Sequence, residues 1–169
     1  MLRTLRKCLT CNAKHLEQEK LNLALLKMII LIITVDKDSE VQMKSILIVD
    51  DEVNNRLLLE EILEEFKEHG VEILLAEDGA EALDIIVNKR PELVFLDIMM
   101  PTINGYQVCN IVKKELKLTE IYIALLTAKG QEQDKNRGLE VLCDKYITKP
   151  FSFKEVLLIA EKVLGLKIC

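Results

Sequence analysis

The sequence carries no excess of positive charge. Lys and Arg number 23 against 28 Asp and Glu, a formal net charge of -5, and the isoelectric point is near 5.2. That balance excludes the broad basic surface that holds nucleic-acid phosphates, so no nucleic-acid partner is expected. The chain also lacks an apolar run of spanning length. Residues 21–33 come nearest, but Asn22 and Lys27 interrupt them and they number 13, where a bilayer takes roughly 20. Arg3, Arg6, Lys7 and Lys14 precede this stretch, yet no small-residue cleavage site follows Ile33. No secretory signal is expected, and membrane attachment is the lesser reading. Without such a signal, five cysteines read as the reduced thiols of a cytoplasmic protein rather than a disulfide framework. Cys8-x-x-Cys11 with His15 has metal-like spacing, but no second Cys/His pair accompanies it, so a structural zinc site is not expected.

What charge there is lies unevenly. Residues 1–43 hold seven Lys/Arg and five Asp/Glu, net +2, and residues 44–169 hold 16 and 23, net -7. The acidic part is the expected domain. The first 43 residues read as an extension: either a helix that binds a partner or its own copy, or a segment outside the natural product, with Met43 the true start.

From Ser45 onward, short apolar runs alternate with longer segments of helical period, the pattern of a parallel sheet covered by helices on both faces. Strands are predicted at 46–49, 71–76, 93–96, 121–126 and 145–148. Helices are predicted at 54–68, with Leu58, Ile62, Leu63 and Phe66 on one stripe, and at 78–88, 105–116 and 131–141. A last helix starts after Ser152 and ends near Gly165, and no output domain is expected after it. Asp78 with Glu81, and Ser152 with Glu155, have the spacing of capping boxes.

Open parallel sheets bind ligands outside the carboxyl ends of their strands. There the first strand offers Asp50 and Asp51, the third Asp97, the fourth Thr127 and the fifth Lys149. Singly, each has a plain structural explanation as a cap, a turn residue or a solvated base. Together they place three carboxylates, a hydroxyl and an ammonium in one crevice. Two carboxylates about 5 Å apart repel by roughly 3 kcal/mol at an effective dielectric of 20, so three need a cation to ionise together. Hard oxygens without converging His or Cys describe Mg2+ better than zinc or copper. Such a crevice suits phosphoryl transfer onto a carboxylate. Asp97, already ionised at neutral pH, needs no general base to act as the acceptor.

The segments ILIVDDE, LDIMMPTINGYQV, LLTAKG and YITKPF resemble the signature segments of response-regulator receiver domains of bacterial two-component systems. The resemblance covers about residues 44–166, with Thr127 thirty and Lys149 fifty-two residues after Asp97. It implies a doubly wound, flavodoxin-like five-stranded sheet of order 2-1-3-4-5. It implies Asp97 as phosphoacceptor and Mg2+ held by Asp51, Asp97 and the Met99 backbone carbonyl, with Asp50 acting mainly through water. It further implies that Lys149 pairs with a phosphoryl oxygen, that Thr127 moves to the phosphoryl group, and that Tyr146 swings inward behind it. The face around Tyr146, made by the predicted helix 131–141, the fifth strand and the last helix, would then change partners. For Tyr146 a half-buried strand aromatic is an equal alternative. A cis Lys149-Pro150 bond is also implied. The family's glycine before the fifth strand is replaced here by Val141-Leu142-Cys143.

The expected function is therefore that of a stand-alone receiver. It would take a phosphoryl group from a histidine kinase or phosphotransfer protein and present it to a downstream effector, catalysing only its own phosphorylation and slow dephosphorylation. The alternatives are an unphosphorylated interaction scaffold, against which the complete residue set counts, and a Mg2+-dependent phosphatase. The latter would want an acid where Met99 stands.

Overall fold

The computed structural model describes residues 43–128 and 142–168. The extension before Met43, with its apolar stretch and its Cys8, Cys11 and His15, lies outside the described residues, as does the predicted helix 131–141. Among the described residues, no helix is long and apolar enough to cross a membrane.

Five strands, β1 (Ser45–Val49), β2 (Glu72–Ala76), β3 (Leu93–Asp97), β4 (Tyr122–Ala128) and β5 (Lys145–Lys149), form one sheet in the order β2-β1-β3-β4-β5. Every pairing is parallel, which gives the α/β class and the 2-1-3-4-5 order expected. The helices are α1 (Val53–Ile62), α2 (Glu64–Glu68), α3 (Gly79–Lys89), α4 (Gly105–Asn110) and α5 (Phe153–Leu164).

Apolar runs make these strands because both sheet faces are covered. Ile46 and Ile48 of β1 point to a core with Leu59, Phe66, Val156 and Ala160 from α1, α2 and α5. Leu47 and Val49 point the other way, to Ala82, Ile86, Val108 and Cys109 from α3 and α4. The site-bearing strand ends are thus anchored from two sides.

Several local expectations need correction. The predicted helix 54–68 breaks at Leu63 (φ -98, ψ 4), and its buried stripe runs through Leu59, Ile62, Leu63 and Phe66, leaving Leu58 48% exposed. At 3.6 residues per turn Leu58 lies about 90° from the centre of that stripe. Ser152 makes no side-chain cap: the Glu155 amide donates to the Ser152 backbone carbonyl at 3.0 Å, and the Glu155 carboxylate, which would complete the box, pairs with Lys145 at 3.4 Å. Asp78 caps α3 through Ala80 N and Glu81 N, but Glu81 bonds the amide of Glu77 rather than that of Asp78. A reciprocal capping box does exist at Asn104 and Gln107, opening α4.

The helix predicted over 105–116 is α-helical only to Asn110 and continues as a π-helical turn, Ile111–Glu115. In that turn Lys113 is buried. Its Nζ donates to the carbonyls of Thr119 (3.2 Å) and Ile121 (2.6 Å) and pairs with Asp144 Oδ2 at 2.8 Å. The same Oδ2 accepts the Ile123 amide at 2.8 Å. This clamp ties the starts of β4 and β5, at the sheet edge away from the acidic cluster.

Candidate functional site

Because the sheet is parallel, β1, β3, β4 and β5 all finish on one edge. Val49 pairs with Leu96, Asp97 with Leu126 and Ala128 with Lys149, so Asp50, Asp97, Thr127 and Lys149 arrive at similar height. The carboxylate oxygens of Asp50, Asp51 and Asp97 lie within 4.8 Å of one another. Asp50 and Asp97 are buried and Asp51 is exposed.

Lys149 joins two of them: its Nζ is 2.7 Å from Asp50 Oδ2 and 2.7 Å from Asp97 Oδ1. The other oxygen of Asp97 accepts the Met99 amide at 2.9 Å. Gly105 permits this loop to close. Its N–H donates to the Ile98 carbonyl at 3.1 Å, and a Cβ there would stand 2.3 Å from the Asp97 carbonyl oxygen. The Lys149-Pro150 bond is cis, as expected.

Burial is the largest influence on Asp97 and raises its pKa above the usual value, outweighing the hydrogen bond and charge of Lys149, which lower it. For Lys149, burial pulls the ammonium down, but the hydrogen bonds to Asp50 and Asp97 and their charges outweigh it, and the pKa is raised. The ammonium is therefore held charged between carboxylates, one of which resists ionising. A further cation would relieve that conflict. The donors are all carboxylate oxygens, the chemistry that hard divalent ions take, so the residues present fit Mg2+.

Two residues that the sequence reading passed over shape the site. Asn55 Nδ2 reaches both oxygens of Asp50, at 3.1 and 3.2 Å, and Arg56 Nη1 donates to the Asp50 carbonyl at 2.6 Å. The usable signal is their position in the first turn of the helix that leaves the Asp50-Asp51 strand end. Asn55 stands four residues before the buried Leu59, on its inward stripe.

Thr127 is buried on the same edge, with its hydroxyl donating to the Ala128 carbonyl at 3.0 Å. Tyr146 is not gathered into the cluster. It pairs with Leu125 lower in the sheet and packs, half-buried, against the same core as Tyr106 and Cys143. Burial, then its contact with the Cys143 thiol, pushes its phenol well above the usual range.

The family model for the response regulator receiver domain matches residues 46–161. The chain is 45% identical over 117 residues to the "Probable transcriptional regulator ycf27" of Cyanophora paradoxa, covering 69% of this chain and 46% of that protein. It is 42% identical over 121 residues to the phosphate regulon transcriptional regulatory protein PhoB of Pseudomonas aeruginosa, covering 72% and 52%. The chain thus spans about half the length of these curated relatives. Solved structures of similar fold include the receiver domain of NtrX from Brucella abortus, with TM-score 0.60, 31% identity, and 72% of this chain and 99% of that one covered. Chemotaxis protein CheY4 of Vibrio cholerae gives 0.61 at 26% identity, covering 72% and 98%. With the fold, the acidic strand ends and the match over residues 46–161 in agreement, the chain belongs to the response regulator receiver domain family.

Proposed function

We propose that this chain is a phosphoacceptor in two-component signalling: Asp97 takes a phosphoryl group from the phosphohistidine of a kinase or phosphotransfer protein, with Mg2+, in the cytoplasm. The observation that carries this reading is the bridge from Lys149 to Asp50 and Asp97, at 2.7 Å each, with the exposed Asp51 carboxylate beside it.

In the reaction an Asp97 carboxylate oxygen attacks phosphorus. The phosphorus–nitrogen bond of the donor breaks, its electron pair stays on the imidazole nitrogen, and an acyl phosphate forms. Asp51, Asp97 and the Met99 carbonyl would hold Mg2+, which when bound neutralises the charge of the transferring group. Lys149 exchanges one carboxylate partner for a phosphoryl oxygen. The Met99 amide orients the Asp97 carboxylate, so catalysis is positioning and charge neutralisation, without a general base.

The signal then leaves through Thr127 and Tyr146. The Thr127 hydroxyl turns from the Ala128 carbonyl to the phosphoryl group, Tyr146 moves inward, and the effector-binding face around it changes population. Apolar side chains exposed four residues before Tyr146 and on α5, Leu142 (49%) and Leu158 (52%), suit such a contact. The chain works as a signalling partner and turns over only its own phosphate.

The test is incubation with acetyl phosphate labelled at phosphorus. Label is expected to enter the protein with Mg2+ present and to fail to enter with EDTA; uptake indifferent to the metal would overturn the proposal.

A further inference from the structure

Asp50 is fully buried, and its carboxylate is already occupied. Oδ1 accepts the Glu52 amide at 3.0 Å and Asn55 Nδ2 at 3.1 Å. Oδ2 accepts Asn55 Nδ2 at 3.2 Å and Lys149 Nζ at 2.7 Å. A carboxylate offers about four lone-pair directions, so little is left for a metal. Asp51 differs: it is exposed, and no side-chain hydrogen bond to it is present among the described residues. Among the described residues, Asp97 Oδ2 accepts one hydrogen bond, from the Met99 amide.

We infer that Asn55 is a positioning residue that keeps Asp50 out of the direct ligand set and so sets the preference of the site for Mg2+ over Ca2+. This rests on the proposal that the site binds Mg2+. Among the described residues, Asn55 is the one side chain that touches both Asp50 oxygens. The Glu52 amide holds Oδ1 and Lys149 holds Oδ2, but Lys149 ends a flexible stem shared with Asp97 and can follow the carboxylate as it turns. Without Asn55, the rigid restraint that remains among the described residues is the Glu52 amide. The Asn55 amide, on the inward face of α1, adds a hold on both oxygens at once.

The consequence for the ion follows from coordination chemistry. Mg2+ keeps several waters and takes one or two carboxylates in strict octahedral geometry, whereas Ca2+ accepts six to eight oxygens in flexible arrangements. With Asp50 held back, Asp51 and Asp97 would supply the two carboxylates, and the Met99 carbonyl and water the remaining oxygens. With the amide removed, Asp50 can rotate toward the other two and offer a third carboxylate, which suits the larger ion.

The test is calorimetric titration of wild type, Asn55→Leu and Asn55→Ala with MgCl2 and, separately, CaCl2, with the exposed neighbour Asn54→Ala as control. Loss of an outer-shell partner weakens metal binding by about 10–100-fold. We expect Mg2+ affinity to fall about tenfold in both Asn55 variants while Ca2+ affinity holds or rises, so the Mg2+ preference falls about tenfold. Asn54→Ala is expected to match wild type. A preference that falls by less than about threefold, including equal weakening of both ions by a loosened site, overturns the inference. Wild type that binds no Mg2+ defeats instead the underlying proposal, so the two failures are distinct.

Discussion

Lys149 lies 2.7 Å from Asp50 Oδ2 and 2.7 Å from Asp97 Oδ1, so one ammonium at the end of β5 ties together the ends of β1 and β3. Replacing it with alanine leaves two buried carboxylates facing each other. Breaking a fully buried pair costs roughly 3–5 kcal/mol. The Lys149 side chain keeps 23% exposure, so Lys149→Ala should cost about 2 kcal/mol, read from urea denaturation. The variant should still bind Mg2+ and lose the structural change that follows phosphorylation, which chemical-shift comparison with and without phosphodonor would record.

Acid and alkali should act on the site in opposite ways. The folded pKa of Lys149 is raised above 10.5, so its contribution to stability is complete below 10.5 and disappears as pH climbs through the raised value. Asp97 is raised above 3.8, chiefly by burial. The fold therefore holds that proton more tightly than the unfolded chain does and loses stability as pH rises from 3.8 through the raised value. Without Mg2+, Asp97→Asn should melt at a higher temperature than wild type at neutral pH, with the gap closing below pH 3.8. Thermal scans across pH would show this, and an unchanged gap would count against burial as the cause.

A divalent ion that binds only the folded chain adds stability by mass action. At a hundredfold excess of free Mg2+ over its dissociation constant the gain is about 2.7 kcal/mol. EDTA should reverse it. The gain should largely vanish in Asp51→Ala, whose carboxylate is the exposed member of the cluster.

Stability should depend as strongly on the opposite edge. Lys113 is 5% exposed and sits 2.8 Å from Asp144, with two backbone carbonyls as its other acceptors. Lys113→Met should cost about 3 kcal/mol, because it strips partners from buried acceptors. Lys113→Met with Asp144→Asn should cost less than the sum of the single changes, a coupling that a double-mutant cycle measures.

The sheet was legible because strands covered on both faces leave contiguous apolar runs, and Asp97, Thr127 and Lys149 interrupt those runs at their ends. The strand order and the ligand roles came from family resemblance, since no periodicity encodes which strands are neighbours. Asn55 stayed invisible because the first turn of α1 reads as a polar helix start, and only the return of the chain beside Asp50 reveals its partner. Lys113 reads as a solvated base until β4 and Asp144 close over it. The box expected at Ser152 lost its glutamate half for the converse reason: the Glu155 carboxylate pairs with Lys145, on a different element, while the Glu155 amide goes to the Ser152 carbonyl.

The central claim concerns one atom group, the Asp97 carboxylate, and borohydride reduction followed by peptide mass mapping tests it most directly. Chain treated with acetyl phosphate and Mg2+ should, after reduction, carry homoserine at position 97 and nowhere else, and Asp97→Asn should carry none. Reduction product at Asp50 or Asp51, or an unmodified position 97 after full treatment, would contradict the account.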